Sequence, residues 1–450
     1  MPLGLLTGWG RTSATRPARV QRARSAADVR ELLAAAPERG VIARGYGRSY
    51  GDAAQSAGGL VVDAVGLDDL AEIDVARGTA TVGAGVSIRA LTRRTLPLGW
   101  FPSVTPGTEV VSVGGAIACD IHGKNHHVDG AFGAHVESFD LVTPSCEILD
   151  VDPTSDPETF WATAGGLGLT GVVTRATLRL LAVETAWMSV DTERASDLDD
   201  AFARFTRDDE YRYSVAWVDC LARGKTLGRA VLMRGNPTRL AELPADRRER
   251  PFEQPRRMTL RAPPWTPTGL VNRATITVFN EAYFRRAPAM ERGKLTPLSS
   301  FFYPLDVVSG WNRLYGARGF VQYQFVVPLG AEDTVRKALE RLGNAGCPSF
   351  LTVLKRMGDE QGILSFPMRG WTVALDVPAG LDGLGPLLDG LDELVAESGG
   401  RVYLAKDSRL RPDVLEAMYP RLPEWRQIQS RLDPKGIMQS DLSRRLGVTG

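Results

Sequence analysis

The sequence predicts an α+β protein in two parts. Over residues 1–185, short β-rich segments alternate with glycine turns: GVIARG at 40–45, GLVVDA at 59–64, TATVGAGV at 79–86 and SFDLVTP at 138–144. Helical pieces, SAADVRELLAAA at 25–36 and SIRALTRRTL at 87–96, fall among them. From about residue 186 the strands become longer and alternate cleanly, in YRYSVAWVDCL, GFVQYQFVVP, PSFLTVLKRMG and GWTVALDVP, joined by helices such as GPLLDGLDELVAESGG. A second unit built on a sizeable sheet is expected there. With 450 residues, 43% of them apolar, two or three domains can each bury a core.

Composition narrows the function. The 54 basic and 53 acidic residues leave a net charge of +1, so no global field invites nucleic acid. The four cysteines, Cys119, Cys146, Cys220 and Cys347, form no CxxC pair, which argues against structural zinc and a disulfide framework. The N-terminal sequence lacks the apolar core of a signal peptide, and no run of about 18 apolar residues suggests a membrane span. Charge is concentrated locally instead. Residues 247–294 hold eleven basic and four acidic side chains, a balance of +7, with Trp265, Phe279, Tyr283 and Phe284 among them and the proline-rich RAPPWTP. Two readings stand: a solvated mobile loop, or a basic aromatic face for anionic lipid or polyprenyl phosphate.

All four histidines, His122, His126, His127 and His135, fall in CDIHGKNHHVDGAFGAH, just after the glycine-rich run TPGTEVVSVGGAIA. Clustered imidazoles titrate near neutrality or bind metals, and clustered glycines let backbone N–H groups close on an anion. The segment reads as a site for a phosphorylated cofactor, a metal, or both. Metal is the weaker reading: His122 and His126 would share a face only on a helix, and Gly123 and its surroundings disfavour one. Neither GxGxxG-like stretch is a Rossmann fingerprint. GLGLTG at 166–171 follows a helix-like DPETFWATAG and precedes a strand, the reverse of the required order, and GYGRSYG at 45–51 runs on into GDAAQSAGG instead of a helix. A flavin or nucleotide in another fold remains.

Three segments in order, ARGYGRSYGDAAQ, PGTEVVSVGGAIACDIHGKNHH and GGLGLTGVVTRATL, resemble the FAD-binding elements of the vanillyl-alcohol-oxidase-type flavoproteins. Within that superfamily, GWGRT, IHGKNHH, FWAT, QYQF, SFP followed by GW, and AKDSR resemble the decaprenylphosphoryl-β-D-ribose 2′-oxidase family, from Gly8 to about Arg445. The resemblance implies a two-part FAD-binding domain, residues 1–185 completed by 402–450, with a substrate domain on an antiparallel sheet inserted at 186–401. It places Arg44, Gly45, Gly47, Arg48, Ser49, Tyr50 and Gly51 around the FAD pyrophosphate. Gly107, Ser112, Val113, Gly114, Gly115, Cys119, Asp120, Ile121, His122, Val173 and Tyr403 would line the rest of the cofactor. Arg48 and Ser49 stand where covalent members often carry a tethering histidine, so noncovalent FAD is expected.

The implied reaction is oxidation of the 2′-hydroxyl of a polyprenylphosphoryl ribofuranose to the 2′-keto sugar. A separate NAD(P)H-dependent keto-reductase would complete the epimerisation that supplies cell-wall arabinan. Peripheral association with one face of the inner membrane, cytoplasmic or periplasmic, is expected too. Lys406 in AKDSR is the first candidate for the base, followed by Tyr50 and His122. Lys124, Lys355, Tyr303, Gln322, Gln324 and Lys406 would hold phosphate and sugar, with Trp217 as a pocket wall. An alditol or aldonolactone oxidase of the same superfamily is the nearest rival, and a metallohydrolase or a flavin-free lipid-phosphate-binding protein are others.

Strand parity supports part of this. Gln322 and Gln324 are two apart, so both amides point to one face about 6.6 Å apart along the strand, where either a polar network or a ligand must meet them. Lys355 lies on the face of Leu351 and Val353, as a snorkelling side chain or a phosphate ligand. Family members often carry a cysteine on the strand that reads GWTVALDVP here; Ala374 holds that position.

Overall fold

The computed structural model describes residues 4–70, 72–207, 210–255, 258–263, 265–267 and 269–449. Arg256 and Arg257 of the basic stretch, and Pro264 of RAPPWTP, lie outside the described residues. Strands of the first 182 residues form two larger sheets and a short antiparallel pair, Leu6–Thr7 with Ala14–Thr15. A parallel three-stranded sheet aligns Arg19–Arg22, Leu60–Asp63 and Val41–Arg44. An antiparallel sheet centres on Val172–Ala182, which pairs with Val136–Val142 on one side and Thr79–Gly83 on the other. Side chains between these sheets and the helices Ala26–Ala34, Ile88–Thr95 and Val113–Ala118 make one core. The capping is local: Ser25, Ser87 and Ser112 each accept a backbone N–H of the first helical turn.

Eight of the strands from Trp187 to Val402 form one sheet, antiparallel throughout, in the order Met290–Pro297, Trp187–Ala195, Ala230–Pro237, Tyr213–Val218, Thr352–Met357, Gly370–Pro378, Phe320–Pro328, Arg401–Val402, while the short strands Leu260–Arg261 and Val308–Ser309 pair in parallel apart from it. Its back is covered by Leu198–Thr206, Glu332–Asn344 and Leu384–Glu397, whose apolar residues share a core with Phe325, Leu354 and Leu375. The other face looks toward the glycine loops.

Residues after Val402 return to the first sheets. Met438 bridges Val41 in parallel, Trp425 Nε1 donates to the Ala162 carbonyl at 2.8 Å, and Arg445 pairs with both Asp52 and Asp407 at 2.8 Å.

One expectation is corrected here. Residues 247–294 are not a featureless loop: Arg273–Arg286 is a 14-residue helix and Met290–Pro297 is the edge strand of the large sheet. The helix is anchored by tertiary contacts. Arg229 joins Asp219 and Glu281 at 2.6 Å each, and Asn280, fully buried, donates to Asp219 at 2.7 Å.

Candidate active site

Between the glycine loops and the open face of the large sheet lies a cavity of about 1490 Å³. Its floor is built from backbone. Gly45, Gly47, Arg48, Ser49 and Tyr50 line it after the strand Val41–Arg44, and Gly107, Ser112, Gly114 and Gly115 line it at the start of the helix Val113–Ala118. The glycines are there for close approach. A Cβ on Gly45 would stand 2.2 Å from Ser112 Oγ, and Gly47, at φ +64°, would press one on the Arg44 guanidinium. Cys119, Ile121, His122, Val173 and Tyr403 also line the cavity.

Four expected cofactor residues stand behind this wall. Arg44 is held by the carbonyls of Ala54 and Thr7 at 3.0 and 2.7 Å. Gly51 packs on the Asp407 backbone, where a Cβ would come within 1.8 Å of the carbonyl. Val113 points from its helix into the core. Asp120, at φ +37°, turns inward to accept the Gly133 N–H at 2.8 Å, and burial pushes its carboxyl up to about 7.

The sheet supplies the opposite wall. Gln322, Gln324, Ala374, Val353, Lys355 and Trp217 all line the cavity, joined there by Lys124, Tyr303 and Lys406. Only one of the four histidines, His122, reaches it. His126 Nδ1 accepts the Gly358 N–H at 2.9 Å, His127 Nε2 lies 3.1 Å from the Tyr211 carbonyl, and His135 Nε2 lies 2.9 Å from the Asp129 carbonyl. His126 opens a one-turn helix, His126–Asp129, that does not include His122. Among the described residues no group of three or more His, Cys, Asp or Glu side chains is placed to hold a metal ion.

Polar side chains of the cavity fall into two groups. In the first, Lys355 Nζ lies 3.0 Å from His122 Nδ1, and Gln324 Nε2 lies 3.0 Å from His122 Nε2 and donates to Thr372 Oγ1 at 3.0 Å. Burial, with Lys406 and Lys124 nearby, holds the Lys355 amine well below its usual range. Lys124 sits over the Phe301 ring at 4.2 Å and donates to the Phe301 carbonyl; burial lowers its amine to about 7. In the second group, Gln322 donates to Asp376, and Tyr50 stands beside Lys406. Lys406 Nζ lies 5.4 Å from the centre of the Tyr50 ring and 6.0 Å from that of Tyr403. Burial lowers the Lys406 amine and raises the Asp376 carboxyl, while their mutual attraction opposes both shifts. Tyr50 is pushed far up by burial, so it stands as a phenol.

Asp376 was not singled out from the sequence, although parity exposes it: Thr372, Ala374 and Asp376 share one face of their strand. Phe366, which stacks on Tyr403 at 4.7 Å and lies 5.6 Å from the His122 ring, gave no separable signal.

A flavin dinucleotide fits this lining. Glycine backbone offers the close approach its phosphates need, apolar Val173 and Ile121 offer a ring surface, and the Gln324 Oε1, buried without a protein partner, faces a space that a polar ligand can fill.

Comparison with known proteins agrees. Residues 17–152 match the FAD binding domain family. Decaprenylphosphoryl-β-D-ribose oxidase of Mycolicibacterium smegmatis is 43% identical over 98% of this chain and 97% of its own. The chain belongs to the decaprenylphosphoryl-β-D-ribose oxidase family. It is an FAD-dependent oxidoreductase acting on a CH–OH group. An uncharacterised Streptomyces coelicolor protein from the mprA 5′ region, 41% identical over 81% of this chain and all of its own, extends the likeness. The lactone-oxidising rival is distant: L-gulono-1,4-lactone dehydrogenase of Mycobacterium tuberculosis is 30% identical over 40% of this chain and 41% of its own.

Proposed function

We propose that this chain oxidises the 2′-hydroxyl of a polyprenylphosphoryl-β-D-ribofuranose to the 2′-keto sugar, for reduction by a separate NAD(P)H-dependent keto-reductase. The observation that carries this reading is the pairing, in one cavity, of a lysine-rich end with a proton-accepting end: Lys124 and Lys355 beside His122, and Lys406 beside Tyr50, with the buried Asp376 held by the cavity-lining Gln322. Lysines gathered without an equal number of carboxylates suit a phosphate. Oxidising an alcohol needs a proton to leave the hydroxyl oxygen and a hydride to leave the carbon that bears it. The FAD supplies the two-electron acceptor when bound. The chain supplies the rest.

Gly45, Gly47, Arg48, Ser49, Gly107, Ser112, Gly114 and Gly115 would hold the cofactor, with Cys119, Ile121, Val173 and Tyr403 around it. No histidine stands in the 44–53 loop, and His122 is engaged by Lys355 and Gln324, so the cofactor is held without a covalent bond. Lys406, with its amine lowered by burial, accepts the hydroxyl proton and Asp376 steadies the resulting ammonium. Gln322 and Gln324 orient the sugar hydroxyls, Tyr303 closes the pocket beside Lys124, and Trp217 walls its far side. Ring oxidation at C2′ is tested by quenching a turnover mixture with borodeuteride: deuterium at C2′ of the recovered sugar supports the reading, and deuterium elsewhere, or none, refutes it.

The surface around the cavity suits a membrane-borne substrate. Among the described residues, eight of the fifteen exposed large hydrophobic side chains fall in 258–290, including Met258, Trp265 and Val278, each at least 70% exposed, interleaved with arginines. Among the described residues no helix is long and apolar enough to cross a membrane. Peripheral docking through this face is the association we infer.

A further inference from the structure

The cavity continues well past the groups that the proposed reaction uses. One row of cross-strand neighbours runs straight across the sheet: Gln324 pairs with Ala374, Ala374 with Val353, Val353 with Trp217, and Trp217 with Val231. All five line the cavity. Four strand spacings of about 4.8 Å carry this row about 19 Å from the amide of Gln324. Polarity falls along the way, from amide to methyl to isopropyl to indole to isopropyl. A parallel row, Val215 beside Met233, widens the apolar floor.

The corridor is roofed by aromatics of the helix Arg273–Arg286. Tyr283 packs on Trp217 with ring centres 4.6 Å apart, and Phe279 lies 6.0 Å from Tyr283 and 6.1 Å from Phe350. The Arg229 bridge from Asp219 to Glu281 ties that roof to the floor. A roofed apolar channel opening from a lysine-bearing pocket has the shape and chemistry of a seat for a hydrocarbon chain with an anionic head.

We propose that the Ala374–Val353–Trp217–Val231 row, with Val215 and Met233 beneath the Phe279–Tyr283 roof, is the binding site for the head-proximal isoprene units of the lipid substrate. This rests on the reading of the substrate as a polyprenylphosphoryl ribose. The chain runs across the strands, away from the sugar and toward the exposed apolar face of residues 258–290. The corridor therefore measures the lipid as well as holding it: each isoprene unit that enters buries more apolar surface, and units beyond the roof gain nothing from it.

The test uses the flavin-loaded full chain and geranyl-, farnesyl- and geranylgeranyl-phosphoryl ribose, with KM read from flavin reduction. In the unmodified protein KM should fall several-fold with each added isoprene. In Val231→Trp, which fills the corridor, and in Met233→Glu, which charges it, that gain should be lost for the longer chains, leaving KM for the geranylgeranyl substrate roughly ten-fold or more higher. Retained flavin content shows that each variant is folded, and the two variants fail independently. A slope of KM against chain length that is the same in both variants as in the unmodified protein overturns the corridor, as does the absence of any slope in the unmodified protein. Failure of the unmodified protein to react with any of the three substrates overturns the substrate reading itself.

Discussion

Lys355 Nζ stands 3.0 Å from His122 Nδ1, while Gln324 Nε2 stands 3.0 Å from the other ring nitrogen. With Gln324 donating to Nε2, the ring carries its hydrogen on Nδ1 and donates it to Lys355 as a neutral amine, the form that burial beside Lys406 and Lys124 favours. A phosphate arriving at this end reverses the preference. The amine's pKa rises, a proton is taken up, and affinity should fall as pH rises through the ligand-bound value. Calorimetric titration with farnesylphosphoryl ribose in buffers of different ionisation enthalpy should register net proton uptake near neutral pH. Lys355→Met should remove most of it and weaken Kd by roughly ten- to a hundred-fold, the worth of a charge-assisted hydrogen bond at about 1.5–3 kcal/mol. Buffer-independent heats would contradict the assignment.

Lys406 answers to a different measurement. Lys406→Ala should retain FAD, because the proposed cofactor cradle is the glycine loops and not this amine, yet lose about 10² to 10⁴ in the rate of flavin reduction. Stopped-flow absorbance decides it. A rate within a few-fold of the unmodified protein removes Lys406 from the chemistry.

Ala374 carries a prediction about inhibition. Its side chain lines the cavity between Gln324 and Val353, where family members often hold a cysteine that captures nitroaromatic compounds after reduction. A methyl group cannot be a nucleophile. Cys119, the one cysteine that lines the cavity, is pushed up to about 11 by burial and so offers little thiolate. Nitroaromatics should bind reversibly, and Ala374→Cys should install time-dependent inactivation with an added mass on the protein. Intact-mass spectrometry that finds an adduct on the unmodified chain would point to Cys119 after all.

The exposed apolar and basic face at 258–290 should bring the protein to anionic vesicles at low salt and release it as salt rises, since screening weakens attraction between exposed charges and a surface. Co-sedimentation should drop when Arg261, Arg285 and Arg286 are changed to glutamine. Absence of binding at low salt would leave this face without a membrane role.

Residue-level reading of the sequence succeeded where a constraint is local. Glycine at 45 and 47 marks a close approach whatever the rest of the chain does, and parity alone puts Gln322 and Gln324 on one face. It failed where the cause is tertiary. The helix Arg273–Arg286 follows a proline-rich stretch and carries a basic surplus that resembles a solvated loop; the contacts that hold it, Arg229 to Glu281 and Asn280 to Asp219, join residues more than fifty positions apart. Motif matching also overreached at single positions. Val113 sits between the cavity-lining Ser112 and Gly114, but a helix turns successive side chains about its axis, and Val113 falls on the core side. For Asp376 the converse holds: parity gives its face of the strand, but its role emerges only when Lys406, thirty residues on in sequence, is folded close to it.

The most direct test of the central claim is anaerobic titration of the purified yellow protein with a polyprenylphosphoryl ribose. The account predicts that the flavin absorbance bleaches with one equivalent of sugar per flavin, and that the 2′-deoxy analogue leaves the spectrum intact. Bleaching by the 2′-deoxy compound, or a spectrum that survives excess substrate, would contradict it.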